Sequence, residues 1–376
     1  MQPTIITQNL LKLASGDDLA LQIYQFKGST AGKKVYIQSN LHGAEIVGNA
    51  VIHQLIQDLS QLDPAQLVGE IWLVPACNPL ATNQRSHFFS TGRFNSYDGI
   101  NWNRIFWDYE KECLDLAQFA QSQLQLNDTE TRQNFLAKIQ QAFQKQKEKI
   151  DSAASVPFRE QYRYQLQSLC LDANYIIDIH SSSNRCLDYL YCVASREESG
   201  SAFGLDYGIL MTQYDGDAFD EAFIKPWLAL EKALMFLGKF VCFDVEAYTL
   251  ELGSGMEMNP ASVQRGVNAI KRYLTYKNVV NLPTPPVTQL TQFFPKQQMQ
   301  PYYAPTGGMV QNRLPLKHPV KVGDRLYQIL SFNKTGELPT VKDIFSEHNG
   351  FIWDVGINEA VNQGEYVLEV MVESNE

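Results

Sequence analysis

Short apolar runs alternate with one amphipathic stretch near the start of the chain. "LALQIYQF" (residues 19–26) and "KKVYIQSN" (33–40) predict strands. Between residues 44 and 60 the apolar positions Ile46, Val47, Ala50, Val51, Leu55 and Leu59 recur close to the helical period. "GEIWLVPACNP" (69–79) is an apolar run closed by Asn78-Pro79, which predicts a buried strand ending in a turn. Strand, helix and strand in so short a span predict a βαβ unit and a mainly parallel sheet. "YIIDIHSSS" (175–183) and "FVCFDVEAYTLELGSG" (240–255) predict two more buried strands, each ending in small residues. Sites in open α/β sheets form at the carboxyl ends of strands. His42, His180 and Glu251 all fall at such ends.

From about residue 105 to 170 the pattern changes. This stretch is rich in Gln, Lys and Glu and predicts helices. Asn127 with Glu130 three residues later resembles a capping box. Phe135, Ile139 and Phe143 then recur every four residues, and Lys145, Lys147 and Lys149 suit the negative end of a helix dipole. The segment reads as a helical excursion packed on the sheet or, alternatively, as a wall or lid over the site. Beyond residue 280 the proline-rich "NLPTPPVTQLTQFFPKQQMQPYYAP" reads as a linker. The β-patterned pieces "GGMVQNRL", "VKVGDRLYQIL", "NGFIWDVG" and "GEYVLEVMV" follow and predict a small β domain. The expected division is thus a catalytic unit over 1–285 and a linker with β domain over 286–376.

Composition removes several classes of function. The 376 residues are 44% hydrophobic and 19% charged, as in an ordinary globular protein with a sizeable core. A net charge of -10 makes nucleic acid or an anionic membrane surface a poor general partner. No apolar run approaches the roughly 20 residues that span a bilayer. The N-terminal residues lack a basic segment followed by an apolar one, so no export signal is read. The six cysteines include no C-x-x-C pair and read as reduced, buried thiols. A cytoplasmic compartment is the expectation.

Candidate chemistry centres on "NLHGAE". His42 and Glu45, three apart at the start of a helix, can aim at one point, and His180 can complete the set from a neighbouring strand end. Catalytic zinc typically keeps three protein ligands and an open position. The plainer alternative is a polar turn with a capping glutamate. Of the other histidines, His53 is placed on the buried side of the helix, and His87, His318 and His348 in solvated loops. H-E-x-x-H, G-x-S-x-G, G-x-G-x-x-G and Walker patterns are all missing. "NPLATNQRSHFFSTGRFNSYDGINWNRIF" puts Arg93, Asn103 and Arg104 in a loop rich in Gly, Ser and Asn. Arginine suits bidentate recognition of a carboxylate, although such residues can equally be solvated surface groups.

Taken in order, "HGAE", "NPLA … GRF … DGINWNR", "DIH" and "TLELGS" resemble the succinylglutamate desuccinylase/aspartoacylase family, which is related to the zinc carboxypeptidases. The resemblance runs from about residue 35 to 256. The tail from Ala304 to Leu330 is similar to that family's C-terminal β domain, itself similar to biotinyl and lipoyl barrels. The resemblance implies a zinc-carboxypeptidase-like α/β fold with a mixed, mainly parallel sheet. It implies one Zn2+ on His42, Glu45 and His180, with Glu251 as general base and then acid. It further implies that Arg93 polarises the scissile carbonyl and that Asn103 and Arg104 hold a substrate carboxylate. The implied activity is hydrolysis of the amide bond of an N-acyl amino acid. A peptide-cleaving metallocarboxypeptidase and a non-catalytic binding protein on the same scaffold are the alternatives. Two departures stand out. Asn101-Trp102-Asn103-Arg104 replaces the usual Asp-Leu-Asn-Arg, so Asn101 can accept a histidine N–H but brings no charge. Between Glu45 and His180 lie 134 residues (46–179), a spacing nearer to the carboxypeptidases. Lys334, in "SFNKTGE", lacks a lipoyl or biotin signature, so the β domain reads as a site wall and not a carrier.

Overall fold

A computed structural model describes residues 1–84, 87, 90–152, 156–287, 289–332 and 334–373. Parts of four stretches read above, namely the arginine-bearing loop (85–86, 88–89), the helical excursion (153–155), the linker (288) and "SFNKTGE" (333), lie outside the described residues.

The strands of the larger sheet are β1 (Thr4–Lys12), β2 (Asp18–Lys27), β3 (Thr30–Ser39), β4 (Val68–Val74), β5 (Tyr175–Ser182), β7 (Tyr189–Val193), β8 (Tyr207–Met211), β9 (Glu246–Ser254) and β10 (Gln292–Pro295); the short β6 (Arg185–Cys186) lies apart from it. Their order is β1-β2-β4-β3-β5-β9-β7-β8-β10. Pairing is parallel for β4/β3, β3/β5, β5/β9, β7/β8 and β8/β10, and antiparallel elsewhere. The expected mixed, mainly parallel sheet is therefore present. Its central strands are buried on both faces, which explains why "YIIDIH" shows no alternation of apolar and polar residues.

One core lies on each face of the sheet. The helix Val47–Ser60 buries Val47, Val51, Ile52, Leu55 and Leu59 beside the helix Pro260–Tyr276. His53 is exposed, contrary to the sequence reading. It lies two residues from both Val51 and Leu55, about 200° around the helix from each, and so faces away from the core. On the other face pack the helices Asp128–Ile150, Phe158–Ser168 and Phe219–Phe236. Asn127 and Glu130 form the expected capping box, and Phe135, Ile139 and Phe143 are buried. The excursion thus packs against the body of the α/β unit. Residues 240–245 are not part of a strand, since β9 starts only at Glu246; Phe240 is exposed.

The C-terminal region adds β11 (Met299–Tyr303), β12 (Gly308–Gln311), β13 (Pro319–Val320), β14 (Arg325–Ser331), β15 (Thr340–Phe345), β16 (Gly350–Val355), β17 (Ala360–Val361) and β18 (Tyr366–Val372). They form two sheets, β11-β18-β16-β13 and β15-β14-β12-β17, around their own core. β10, inside the proline-rich stretch, is an edge strand of the large sheet and pairs with β8. The two regions also meet through β6, which pairs with β16, and through a cluster that includes Tyr189, Phe294 and Trp353. His318 is exposed and His348 half-buried. Cys242 is exposed and Cys113 half-buried, while the other four cysteines are buried, and all six are free thiols. Among the described residues no helix is long and apolar enough to cross a membrane.

Candidate metal centre

β3 ends at Ser39, and the chain turns sharply at Asn40, whose φ is 67°. The Asn40 side chain donates to the carbonyls of His42 (3.0 Å) and Gly43 (3.1 Å), so the turn is held by its own first residue. Gly43 N–H donates to Gly92 O and Ala44 N–H to Thr91 O, which ties this turn to the arginine-bearing loop. A Cβ on Gly43 would collide with the Ala81 carbonyl, so only glycine fits there. The helix then begins at Val47, and His42 and Glu45 both project from its entry.

His42, Glu45 and His180 converge. His42 Nδ1 lies 2.8 Å from Glu45 Oε1, and His180 Nδ1 lies 2.9 Å from Glu45 Oε2. One ligand atom from each residue falls within 4.8 Å of the others, and all three side chains are buried. The outer nitrogens are held as well. His42 Nε2 lies 3.0 Å from Asn101 Oδ1, and His180 Nε2 lies 2.9 Å from Asp178 Oδ2. Asp178 in turn accepts from Gln38 Nε2 at 3.1 Å, and Gln38 Oε1 accepts from Tyr36 OH at 3.0 Å. Two imidazoles oriented through their far nitrogens, with a carboxylate between them, are a donor set suited to a divalent transition metal. The geometry therefore fits a metal ion.

Electrostatics agree with that fit. Burial pushes Glu45 up, but the charges and hydrogen bonds of His42 and His180 outweigh it and hold the carboxylate well below its usual range. Burial pushes the His180 imidazolium down, yet Asp178 and Glu45 outweigh that and hold its pKa well above the ordinary value. Glu251 stands opposite His180 in the parallel register of β5 and β9, which puts both side chains on one face. Its Oε2 is shielded and has no hydrogen-bond partner. Burial lifts Glu251 to about 7; Glu45 adds to the rise, while His180 and Arg93 oppose it.

Arg93 reaches the same place. Its Nη1 is 3.8 Å from Glu45 Oε1 and 3.5 Å from Ser183 Oγ. Asn103 connects to the centre through its backbone, whose N–H donates to Asn101 Oδ1 at 2.9 Å. Its side-chain oxygen instead accepts from Phe219 N–H at 2.8 Å. Arg104 bonds to the Asn103 carbonyl, has Nε 3.9 Å from Asp215, and lines an open cavity of about 490 Å³ with Tyr214 and Lys296. Asp178 was missed from the sequence. The signal was present, because in "DIH" it lies two residues before His180 on the same face of a strand.

The model of the succinylglutamate desuccinylase/aspartoacylase catalytic domain matches residues 31–277. The chain belongs to the succinylglutamate desuccinylase/aspartoacylase family. A family protein from Shewanella amazonensis SB2B is 30% identical, with a TM-score of 0.85 over 98% of this chain and 99% of that one. Another, from Shewanella frigidimarina NCIMB 400, is 26% identical, with a TM-score of 0.89 over 99% of this chain and 98% of that one. The ectoine utilization protein EutE (DoeB) of Ruegeria pomeroyi, solved with product bound, is 15% identical and shares the fold, with a TM-score of 0.67 over 99% of this chain and 95% of that one. No curated protein sequence matches the chain. Membership of a metal-dependent deacylase family gives the buried triad a chemical context.

Proposed function

We propose that this family member is a zinc-dependent amidohydrolase that cleaves N-acyl amino acids. The observation that carries the reading is the buried triad of His42, Glu45 and His180 with Glu251 in register beside His180. Held by His42, Glu45 and His180, a zinc ion would lower the pKa of the attacking water and act as a Lewis acid toward the scissile carbonyl.

The chain's own residues do the rest. Glu251, lifted to about 7 by its surroundings, takes the proton of the attacking water and returns it to the leaving amine nitrogen. Arg93 donates to the oxygen on which negative charge develops as water adds to the carbonyl. Arg104, exposed at the cavity it shares with Lys296, donates to the carboxylate of the amino-acid portion, and the Asn103 carbonyl, which accepts from its Nη1, holds it in place. Asn101 and Asp178 keep the two imidazoles turned so that their Nδ1 atoms face Glu45.

The test is metal analysis of the purified protein combined with a screen of N-acylated amino acids against short peptides. About one zinc per chain and turnover of acyl amino acids alone is the expected result. Cleavage of peptides in preference would assign the site to a carboxypeptidase, and absence of metal with no turnover would assign it to a binding protein.

A further inference from the structure

The C-terminal β domain reaches the metal centre through one buried carboxylate. Asp354 lies on β16 and is 5% exposed. Its Oδ2 accepts from Ser182 Oγ at 2.7 Å, and its Oδ1 accepts from Tyr366 OH at 2.6 Å. It stands opposite Cys186 where β16 pairs with β6, just beyond the end of the strand that carries His180. Next to it, Trp353 is fully buried and packs on Tyr189, with ring centroids 4.9 Å apart. Tyr189 is itself the register partner of Glu251. A carboxylate taken out of water is costly, and hydroxyl donors on both oxygens offset that cost.

What Asp354 holds is the segment wrapped around Glu45. Ser181 N–H donates to Glu45 Oε2 at 3.3 Å. Ser182 O accepts from Gly255 N–H at 2.6 Å, and the next residue, Met256, donates its N–H to Ala44 O at 2.7 Å. A Cβ on Gly255 would stand 3.8 Å from Glu45 Cγ, so this turn lies directly over the ligand. Ser183 Oγ meets Arg93 Nη1 at 3.5 Å, and the same guanidinium approaches Glu45. Two routes from residues 181–183 thus end at the Glu45 carboxylate, and a third ends at the backbone of its neighbour Ala44. The β5/β9 register breaks between His180 and Ser182, so the sheet ladder alone does not fix this segment.

We propose that Asp354 is a positioning residue for the metal centre, fixing Ser182 and through it the 181–183 segment that surrounds Glu45 and Arg93. The β domain is then part of the site's framework. The inference rests on the proposed metal site, and its test reads metal retention, so it does not depend on having found the substrate.

The full-length protein is loaded with zinc, and release to a chromophoric chelator is timed for wild type, Asp354→Asn, Ser182→Ala, the double variant and Glu369→Gln. Glu369 neighbours Asp354 in the β16/β18 pairing, and no hydrogen bond joins it to Ser182. Each of the first two variants should release metal about 10-fold faster, the scale on which residues behind metal ligands act. The double variant should be no faster than either single one, because both break the same link. Glu369→Gln should release at the wild-type rate, with thermal midpoints recorded for all five proteins. Wild-type release rates in both single variants would overturn the proposal. So would multiplied effects in the double variant, or equal acceleration by Glu369→Gln, which would mean general loosening of the β domain. If Asp354→Asn does not fold, Ser182→Ala against wild type and Glu369→Gln decides the matter by the same rates.

Discussion

Replacing Glu251 with glutamine should separate catalysis from metal binding and leave a pH signature in stability. The residue is half-buried, its shielded Oε2 has no hydrogen-bond partner, and its pKa is raised from 4.5 to about 7. An acid whose pKa is higher in the folded than in the unfolded chain favours folding below its unfolded value. That contribution fades as pH rises through the folded value. In the metal-free protein the loss falls between pH 4.5 and about 7 and amounts to at most ~3 kcal/mol, each tenfold change in proton affinity being about 1.4 kcal/mol. Glutamine is neutral throughout. Metal-free Glu251→Gln should therefore be more stable than wild type at pH 8, by up to ~3 kcal/mol, and lose most of that advantage by pH 5. Zinc loading should shrink the difference, because a nearby dication favours the carboxylate. The same variant should keep its metal, since Glu251 lies outside the triad, and lose about 10²- to 10⁴-fold in kcat. Urea unfolding of both metal-free proteins at pH 5 and 8, with metal content and initial rates, provides the check. A glutamine variant less stable at pH 8, or a difference that ignores pH, would refute the electrostatic reading. Retained turnover would remove Glu251 from the proton-transfer role.

The remaining expectations concern the other side chains of the centre. His180→Ala and His42→Ala should each abolish stoichiometric metal binding, which elemental analysis of purified protein would show; full zinc content in either would exclude that residue as a ligand. Asp178→Asn should keep the His180 contact but remove its charge, weakening metal affinity about 10- to 100-fold in a competition titration. Arg93→Ala should lower kcat by about 10²- to 10³-fold, because its donor serves charge that develops only in the transition state. Arg104→Ala should chiefly raise KM, because its partner carboxylate is present throughout the reaction; steady-state kinetics that reverse the two effects would overturn this division of labour.

Local pattern made much of this molecule legible, and distance hid the rest. The β3–helix–β4 unit was visible because its apolar positions follow the two periods that strand and helix impose. His42, Glu45 and His180 were visible because they fall where such runs end. His53 was misplaced because the apolar positions 46 to 59 cover a broad arc, and only the packed structure shows which side meets the neighbouring helix. The extra strand length expected before Glu246 came from reading apolar residues as buried, whereas Phe240 is exposed. β10 was hidden in a proline-rich stretch because an edge strand with one partner tolerates proline at its end. Asp178 needed only the period of two within "DIH". Asp354 is 172 residues from Ser182, and nothing local marks a carboxylate that meets its partner through a separate domain.

The charges of the centre also explain why these particular neighbours surround it. Glu45 and Asp178 are buried and Glu251 stands half-buried beside them, so three carboxyl groups meet here, with Arg93 approaching Glu45. His180 sits between Glu45 and Asp178, whose charges and hydrogen bonds favour its protonated form against the cost of burial, and burial lifts Glu251 to about 7. His42, Glu45 and His180 would have to be deprotonated to hold a metal ion, so metal binding here would compete with protons. Asp178 accepts from the opposite nitrogen and keeps the ring oriented in either state. Asn101 does the same for His42 without adding a fourth negative charge. Acid should therefore compete directly with metal at this centre, and the neutral amide at residue 101 limits how far that competition favours the proton.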